Sequence, residues 1–358
     1  MNKIVFIFGT RPEIIKLYPL VVDCDRRKLD YFLIHTNQHY DQKMDGVFFK
    51  KLGIPKPKYN LNVGSCTHGE QIGKMLERIE KVLVSNRPNV VIVQGDTNSV
   101  LAGALISSRY NIKVAHVEAG LRSYERSMPE EINRILTDHV ADYLFCPTRK
   151  QQNILISENI PRNRIFITGN TIVDSVYRTL EIAEKKSTIL HDLHLKNQKY
   201  FLLTCHRPEN TDNLYNFEEI VSGVSHLAME QNVKCVFPIH PRLKKHVKMI
   251  AKFDNIKIID PVDYFDSLML QKYSEMIFTD SGGIQEEACI LKKKCIILRT
   301  NTERPETLTV GGALILSEIS SEEIIRCNNK LTKRIIKWSN PFGDGNASRK
   351  ILDIILKI

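Results

Sequence analysis

The chemically versatile side chains of this chain recur in one kind of place: directly after a short apolar run, where a buried strand would end and a helix begin. Gly9-Thr10-Arg11-Pro12-Glu13 follows the first such run, Val5–Phe8, and Lys16 comes within the next helical turn. A glycine for the turn, a proline in the first helical turn and two cations suit a clamp on an anionic group; solvated charges at a helix start would have the same composition. Asp96, in Gly95-Asp96-Thr97, follows Val90–Gln94 and is either a helix cap or a catalytic carboxylate. His116-Val117-Glu118-Ala119-Gly120-Leu121-Arg122-Ser123 puts Glu118 at the end of an apolar run, where acids are rare unless paired. Pro129-Glu130-Glu131-Ile132-Asn133-Arg134 opens a helix with acids in its first turn. Complementing the helix dipole accounts for one of Glu130 and Glu131 and leaves the other open.

The second half repeats the theme. Thr204-Cys205-His206-Arg207-Pro208-Glu209-Asn210 closes an apolar run with a His-Arg pair, and Phe237-Pro238-Ile239-His240-Pro241-Arg242 does so less specifically. The strongest local signal is Thr279-Asp280-Ser281-Gly282-Gly283-Ile284-Gln285-Glu286-Glu287. Ser281, Gly282 and Gly283 place uncovered backbone N–H groups at a helix start, which suits a phosphate or diphosphate. Glu287, one turn in, is placed to accept hydrogen bonds from a ribose. Neither of the standard glycine-rich nucleotide fingerprints is present. Arg299 and Arg304 follow the next apolar run and are expected near the same pocket. His191-x-x-His194 has a metal-pair spacing but no acidic partner, and no metal is expected there.

These residues need elements to hold them. Apolar runs at 5–8, 32–34, 90–93, 114–117, 143–145 and 165–167 read as buried strands, with helical segments at 12–24, 67–86, 97–109, 129–141 and 148–159 between them. A second series has strands at 201–204, 233–237, 256–259, 276–278, 295–298 and 313–316, and helices at 214–231, 242–252, 264–273, 281–292 and 320–336. Alternation of this kind predicts βαβ units and parallel sheets. The fold class is α/β, with two Rossmann-like parallel-sheet domains facing a cleft and a boundary in the polar stretch 178–199. The length of 358 residues also exceeds the roughly 250–300 at which a single core stops growing.

Composition excludes the collagen-like, disulfide-scaffold and disordered classes. No apolar run approaches the ~18 residues of a membrane span, and the N-terminus has neither an adequate apolar core nor a cleavage site for secretion, so no membrane association and a cytoplasmic location are expected. The net charge is +10, but basic residues are scattered, the densest runs being Lys244-Lys245-His246 and Lys292-Lys293-Lys294. No nucleic-acid-binding motif accompanies them, so nucleic acid is not an expected partner; an anionic small molecule is. The eight cysteines have no framework spacing and read as free thiols.

Taken together, GTRPE, HVEAGLR, PEEINR, GNT at Gly169–Thr171, HRPEN, DSGGIQEEA, TERPE and Asn340-Pro341-Phe342-Gly343-Asp344-Gly345 resemble the non-hydrolysing UDP-N-acetylglucosamine 2-epimerases over nearly the whole chain. The resemblance implies a GT-B-like fold: a first domain of residues 1–180 completed by a C-terminal helix at 342–358, and a second domain of 181–341. It places the diphosphate at Ser281, Gly282 and Gly283 with Arg11 and His206 nearby, the ribose at Glu287, and the substrate at Arg304 and Lys16. It assigns catalysis to Asp96, Glu118 and Glu130, and implies no cofactor and a homodimer. Two departures stand out. Val262 and Ser267 replace Gln and Phe of some relatives, where uracil contacts would lie. Gln38-His39-Tyr40 resembles a segment that binds a second, activating UDP-GlcNAc, but Asp41 and His68-Gly69-Glu70 differ.

The chemistry implied is inversion at C2 of UDP-GlcNAc to UDP-ManNAc, by elimination of UDP to a 2-acetamidoglucal and re-addition. One carboxylate must act as base and another as acid, and His206 and Arg11 would stabilise the departing diphosphate. Rival readings are a hydrolysing epimerase releasing ManNAc, a GT-B glycosyltransferase, a nucleotide-sugar sensor, and an epimerase of a UDP-diacetamido sugar. The GTRPE start favours plain UDP-GlcNAc over the last.

Overall fold

The computed structural model describes residues 3–38, 49, 51–335 and 337–357. It comprises two compact units, one of Met1–Ser175 with Phe342–Ile358 and one of Val176–Pro341.

The first unit is built on β1 (Ile4–Phe8), β2 (Tyr31–His35), β3 (Tyr59–Asn60), β4 (Val90–Gln94), β5 (Lys113–Val117), β6 (Tyr143–Cys146) and β7 (Ile165–Ile167). All pairings are parallel, in the order β3-β2-β1-β4-β5-β6-β7. Helices α1 (Arg11–Arg26), α2 (His68–Asn86), α3 (Asn98–Arg109), α4 (Pro129–Val140) and α5 (Arg149–Ser157) connect them. β1 and β4 are buried along their whole length, as expected of strands covered on both faces, and hence they read as continuous apolar runs. The second unit repeats the plan with β8 (Tyr200–Thr204), β9 (Lys234–Pro238), β10 (Ile256–Ile259), β11 (Met276–Thr279), β12 (Cys295–Ile297) and β13 (Ala313–Ile315), parallel in the order β10-β9-β8-β11-β12-β13. Its helices include α6 (Leu214–Glu230), α7 (Tyr264–Tyr273), α8 (Gly282–Ile290) and α9 (Ser321–Thr332).

Strand order reverses between β1 and β4 in the first sheet and between β8 and β11 in the second. Such reversal points open a crevice outside the carboxyl ends of the strands, where ligands of open α/β sheets bind. The segments after these strands carry Arg11, Asp96, His206 and Ser281, so topology alone sends the candidate residues to the two crevices.

Helix α10 (Ala347–Ile355) belongs to the first unit. The Ser348 amide donates to Asp174 Oδ1 at 2.9 Å and the Ala347 amide to Asp174 Oδ2 at 3.2 Å. The Ser348 hydroxyl lies 2.8 Å from Asp23 Oδ2 and 2.6 Å from Asp174 Oδ1. The buried Asp174 carboxylate thereby satisfies two open N–H groups of the helix start, and buried Asp23 holds the Ser348 hydroxyl.

Two elements differ from the sequence reading. β3 pairs only at Ile34–Tyr59 and His35–Asn60, too short to leave a periodic signal. The expected helix 242–252 divides into a 3-10 turn, Pro241–His246, and one α turn, Val247–Ile250. All eight cysteines are free and all but Cys66 are buried. Among the described residues, no helix is long and apolar enough to cross a membrane.

Candidate active site

In the first unit the carboxyl ends of β4 and β5 present two acids on adjacent strands. Gln94 is paired with Val117 in the ladder, so Gly95-Asp96 and Glu118 leave the sheet side by side. Glu118 is buried at φ +71, in the left-handed region that side chains seldom adopt. Its amide and that of Ala119 both reach Phe145 O at 3.1 Å, which fixes this turn. The next residue but one, Gly120, has φ +81, and a Cβ there would lie 2.7 Å from Gln151 O, so both conformation and space demand glycine.

The Glu118 carboxylate has polar partners from three further elements. Lys16 Nζ on α1 lies 2.6 and 2.8 Å from its two oxygens. Gln94 Nε2 donates to Oε2, and Asn170 Nδ2 donates to Oε1 at 3.2 Å. Asn170 is itself held, because its amide donates to Phe342 O at 2.7 Å. The GNT segment and the Asn340–Gly345 segment, distant in sequence, therefore meet behind Glu118.

Asp96 is not a helix cap. Thr97 takes that role for α3, accepting from the Val100 amide at 3.4 Å. The Asp96 carboxylate is about one-third exposed and pairs with Arg134 at 2.8 Å, while Asn133 Nδ2 holds its carbonyl at 2.9 Å. The two acids of α4 separate in role. Glu131 is buried; it accepts the Ser123 and Tyr124 amides at 2.9 Å each and Arg134 Nη1 at 2.5 Å, so it fixes the loop before the helix. Glu130 is exposed in the same first turn.

Gly9 is explained by space rather than by its turn: a Cβ would lie 2.1 Å from Ser99 Oγ and 2.4 Å from Thr36 Oγ1. Arg11 is half-buried as the first residue of α1. Glu13, which carried no assignment from sequence, is buried and accepts the Gly9 amide at 3.1 Å, Thr10 Oγ1 at 2.7 Å and Thr97 Oγ1 at 3.0 Å. It joins the turns after β1 and β4. Burial pushes its carboxyl up to about 7, against these hydrogen bonds.

In the second unit the organiser is Asp280, the fully buried residue directly after β11. It accepts the His206 amide at 3.0 Å, the Arg207 amide at 3.0 Å, Asn210 Nδ2 at 3.1 Å and Cys205 Sγ at 3.2 Å. The His206 ring is half-buried, its side chain 41% exposed, with Nε2 3.6 Å from Asp280 Oδ1. Burial, reinforced by the nearby Arg207, His240 and Arg242, lowers its affinity for a proton despite Asp280. Ser281 caps α8, and a Cβ on Gly282 would meet nothing within 4 Å. The helix start is therefore open above its N–H groups, as an anion requires.

Glu287 is buried and accepts Gln271 Nε2 at 2.6 Å. Arg304 Nε lies 2.8 Å from Glu286 Oε1. Arg299 is engaged within its own loop by Glu303, at 3.0 and 3.1 Å. Burial opposes charge on Glu303, but Arg299 overcomes it and holds the carboxyl near 2. A recess of about 200 Å³ opens at the ends of β8, β9 and β10, lined in part by Thr204, His206, Pro238, His240, Val262 and Ser267. Of the segment resembling a second nucleotide-sugar site, His39, Tyr40 and Asp41 lie outside the described residues; Gln38 Oε1 accepts from Ser99 Oγ at 3.0 Å.

Two parallel α/β sheets, each with polar residues gathered at its reversal point and one with an open Ser-Gly-Gly helix start, define an α/β protein of the GT-B-like class. The UDP-N-acetylglucosamine 2-epimerase family model matches residues 23–356. The UDP-N-acetylglucosamine 2-epimerase of Methanocaldococcus jannaschii is 51% identical over 361 residues, covering 99% of this chain and 98% of the relative. A solved structure of the M. jannaschii enzyme in complex with UDP-GlcNAc and UDP matches with a TM-score of 0.88 at 50% identity, covering 99% of this chain and 100% of the other. The Neisseria meningitidis enzyme bound to UDP-GlcNAc matches with a TM-score of 0.90 at 31% identity, with coverage of 99% and 100%. The chain belongs to the UDP-N-acetylglucosamine 2-epimerase family.

Proposed function

We propose that the chain interconverts UDP-N-acetylglucosamine and UDP-N-acetylmannosamine without net hydrolysis. The observation that carries this reading is the pair of acids at the ends of adjacent strands, Asp96 and Glu118, backed by a lysine and by polar side chains rather than by solvent alone. A transferase needs a diphosphate site but has no need of such a set. The named relatives support the substrate.

In this reading the α8 start at Ser281, Gly282 and Gly283 holds the diphosphate, Glu287 the ribose, and the recess beside Val262 and Ser267 the base. Arg304 and Lys16 contribute to substrate binding. A carboxylate removes the C2 proton as the C1–O bond to UDP breaks, which leaves a 2-acetamidoglucal and free UDP. Oxocarbenium character at C1 makes that proton acidic. Arg11 and His206 stabilise charge on the departing diphosphate. A second carboxylic acid then delivers a proton to the other face of C2 while the UDP oxygen re-adds to C1; the first carboxyl afterwards gives its proton to solvent and the second takes one up, which resets both for the next turnover. Asp96, Glu118 and Glu130 are the groups assigned to these transfers. The enzyme would act as a homodimer in the cytoplasm.

Incubation with UDP-GlcNAc alone in D2O, followed by NMR, tests this directly. UDP-ManNAc carrying deuterium at C2 is the expected product. Free ManNAc with UDP would establish the hydrolysing reaction, and a product without solvent deuterium would refute the proton-transfer scheme.

A further inference from the structure

His116 is a buried titratable group that this mechanism does not use. It lies on β5 with its side chain 1% exposed, and both ring nitrogens face oxygen atoms: Nδ1 is 2.7 Å from Asp138 Oδ1, and Nε2 is 2.8 Å from Gly95 O. A backbone carbonyl only accepts, so Nε2 must carry a hydrogen. One more proton must lie between Nδ1 and the carboxylate.

The surroundings decide where. Asp138 Oδ2 accepts Arg122 Nη1 at 2.7 Å and the Gly120 amide at 3.1 Å. The other edge of Arg122 grips Glu158, at 2.8 and 2.6 Å. Cys146 on β6 also faces Asp138, and burial raises its thiol far enough to keep it uncharged. Burial raises the Asp138 carboxyl as well, but His116 and Arg122 outweigh it and hold the group ionised. With the proton on nitrogen, the cluster holds two cations, Arg122 and His116, and two anions, Asp138 and Glu158. With the proton on Asp138 instead, Oδ2 would still face two donors, but the Arg122 guanidinium would lose its buried counter-charge.

We propose that His116 is held as a doubly protonated imidazolium and acts as a positioning residue, clamping the turn that carries Asp96 to the strand that carries Glu118. The clamp is two-sided. The Gly95 amide donates to Val117 O at 3.1 Å and the Gly95 carbonyl receives His116 Nε2, so consecutive residues of β5 hold both polar groups of the residue before Asp96. Through Asp138, the same charge pair fixes the Gly120 amide, two residues beyond Glu118. The inference deepens the proposed function and rests on it for the roles of the two acids.

Two measurements test it. In 15N-histidine-labelled protein without substrate, assigned against His116→Gln, both His116 ring nitrogens should carry protons, as their two oxygen partners require. A neutral-ring pattern overturns the proposal. In steady-state assays, His116→Gln and Asp138→Asn should lower kcat about 10- to 100-fold through misplacement of the acids, while KM and the Kd for UDP stay within about twofold. Unchanged kcat, or an equal loss of UDP binding, also overturns it. Should neither variant fold, the assignment passes to the one ring whose Nε2 proton couples across a hydrogen bond to Gly95, and the wild-type spectrum decides. A wild-type chain that epimerises with a neutral His116 removes the clamp alone; one with the imidazolium but no turnover removes the proposed function instead.

Discussion

Replacing Lys16 with Met removes the buried cation that pairs with Glu118. The two side chains are 11% and 3% exposed and make two contacts of 2.6 and 2.8 Å. Breaking a buried pair on one side typically costs about 3–5 kcal/mol, because the surviving charge keeps its desolvation penalty. For a unit of this size that corresponds to a loss of roughly 6–20 °C in Tm. Glu118→Gln should cost a comparable amount by stranding Lys16. The double variant removes both charges and is expected near the wild type, to within about 1 kcal/mol, so the cycle should show a coupling of about 5 kcal/mol or more. Calorimetry and far-UV circular dichroism follow the unfolding of the chain. The single tryptophan, Trp338, lies in the second unit, where its Nε1 donates to Cys289 O at 3.0 Å, so its fluorescence reports on that unit separately. Additive losses in the double variant would refute the reasoning and make the pair incidental.

Asp96→Asn, Glu118→Gln and Glu130→Gln should each lose at least about 100-fold in kcat with little change in UDP affinity; near-normal rates in all of them would remove these acids from the chemistry. Because Glu130 is exposed, its variant should unfold within about 0.5 kcal/mol of the wild type, as urea titration would show. Gly282→Ala places a methyl group where nothing lies within 4 Å, so stability should hold or rise by up to about 1 kcal/mol. UDP affinity measured by calorimetric titration should fall at least tenfold, and unchanged affinity would move the diphosphate elsewhere. Glu13, raised from 4.5 to about 7 by burial, retains a proton in the folded chain that the unfolded chain has lost. Its contribution is intact below pH about 4.5 and lost as pH rises toward 7, on the order of 2–4 kcal/mol in all. Glu13→Gln should therefore gain urea stability relative to the wild type at pH 8 compared with pH 5; parallel pH profiles would contradict this.

β1 and β4 were legible because each is a run of apolar residues buried on both faces, and the observed bounds of β1, β4 and β5 differ from the expected ones by a residue at most. Glu118 was legible for the opposite reason, as an acid where the pattern calls for an apolar residue. What stayed hidden depends on partners far along the chain. Asp280 stands beside Ser281 in a conspicuous motif, but its work is to hold His206, 74 residues away. Arg134 reads as an ordinary helix cation until the fold brings Asp96 to it across 38 residues. Asp138 carries no local signal at all. That Thr97 and not Asp96 caps α3 is a matter of one residue, which composition does not resolve.

The seat of α10 on Asp174 and Asp23 has a consequence for biosynthesis. Ser348 is separated from Asp174 by 174 residues, nearly all of them in the second unit. At about 5–20 residues per second, a ribosome needs roughly 10–35 s to supply that stretch. Throughout that interval the first sheet can be complete while Ser348 has not yet reached Asp174 and Asp23. The second unit should therefore reach its native state while the first is still unfinished, and a nascent chain stalled before Ser348 should leave the Asp174 region open to proteolysis.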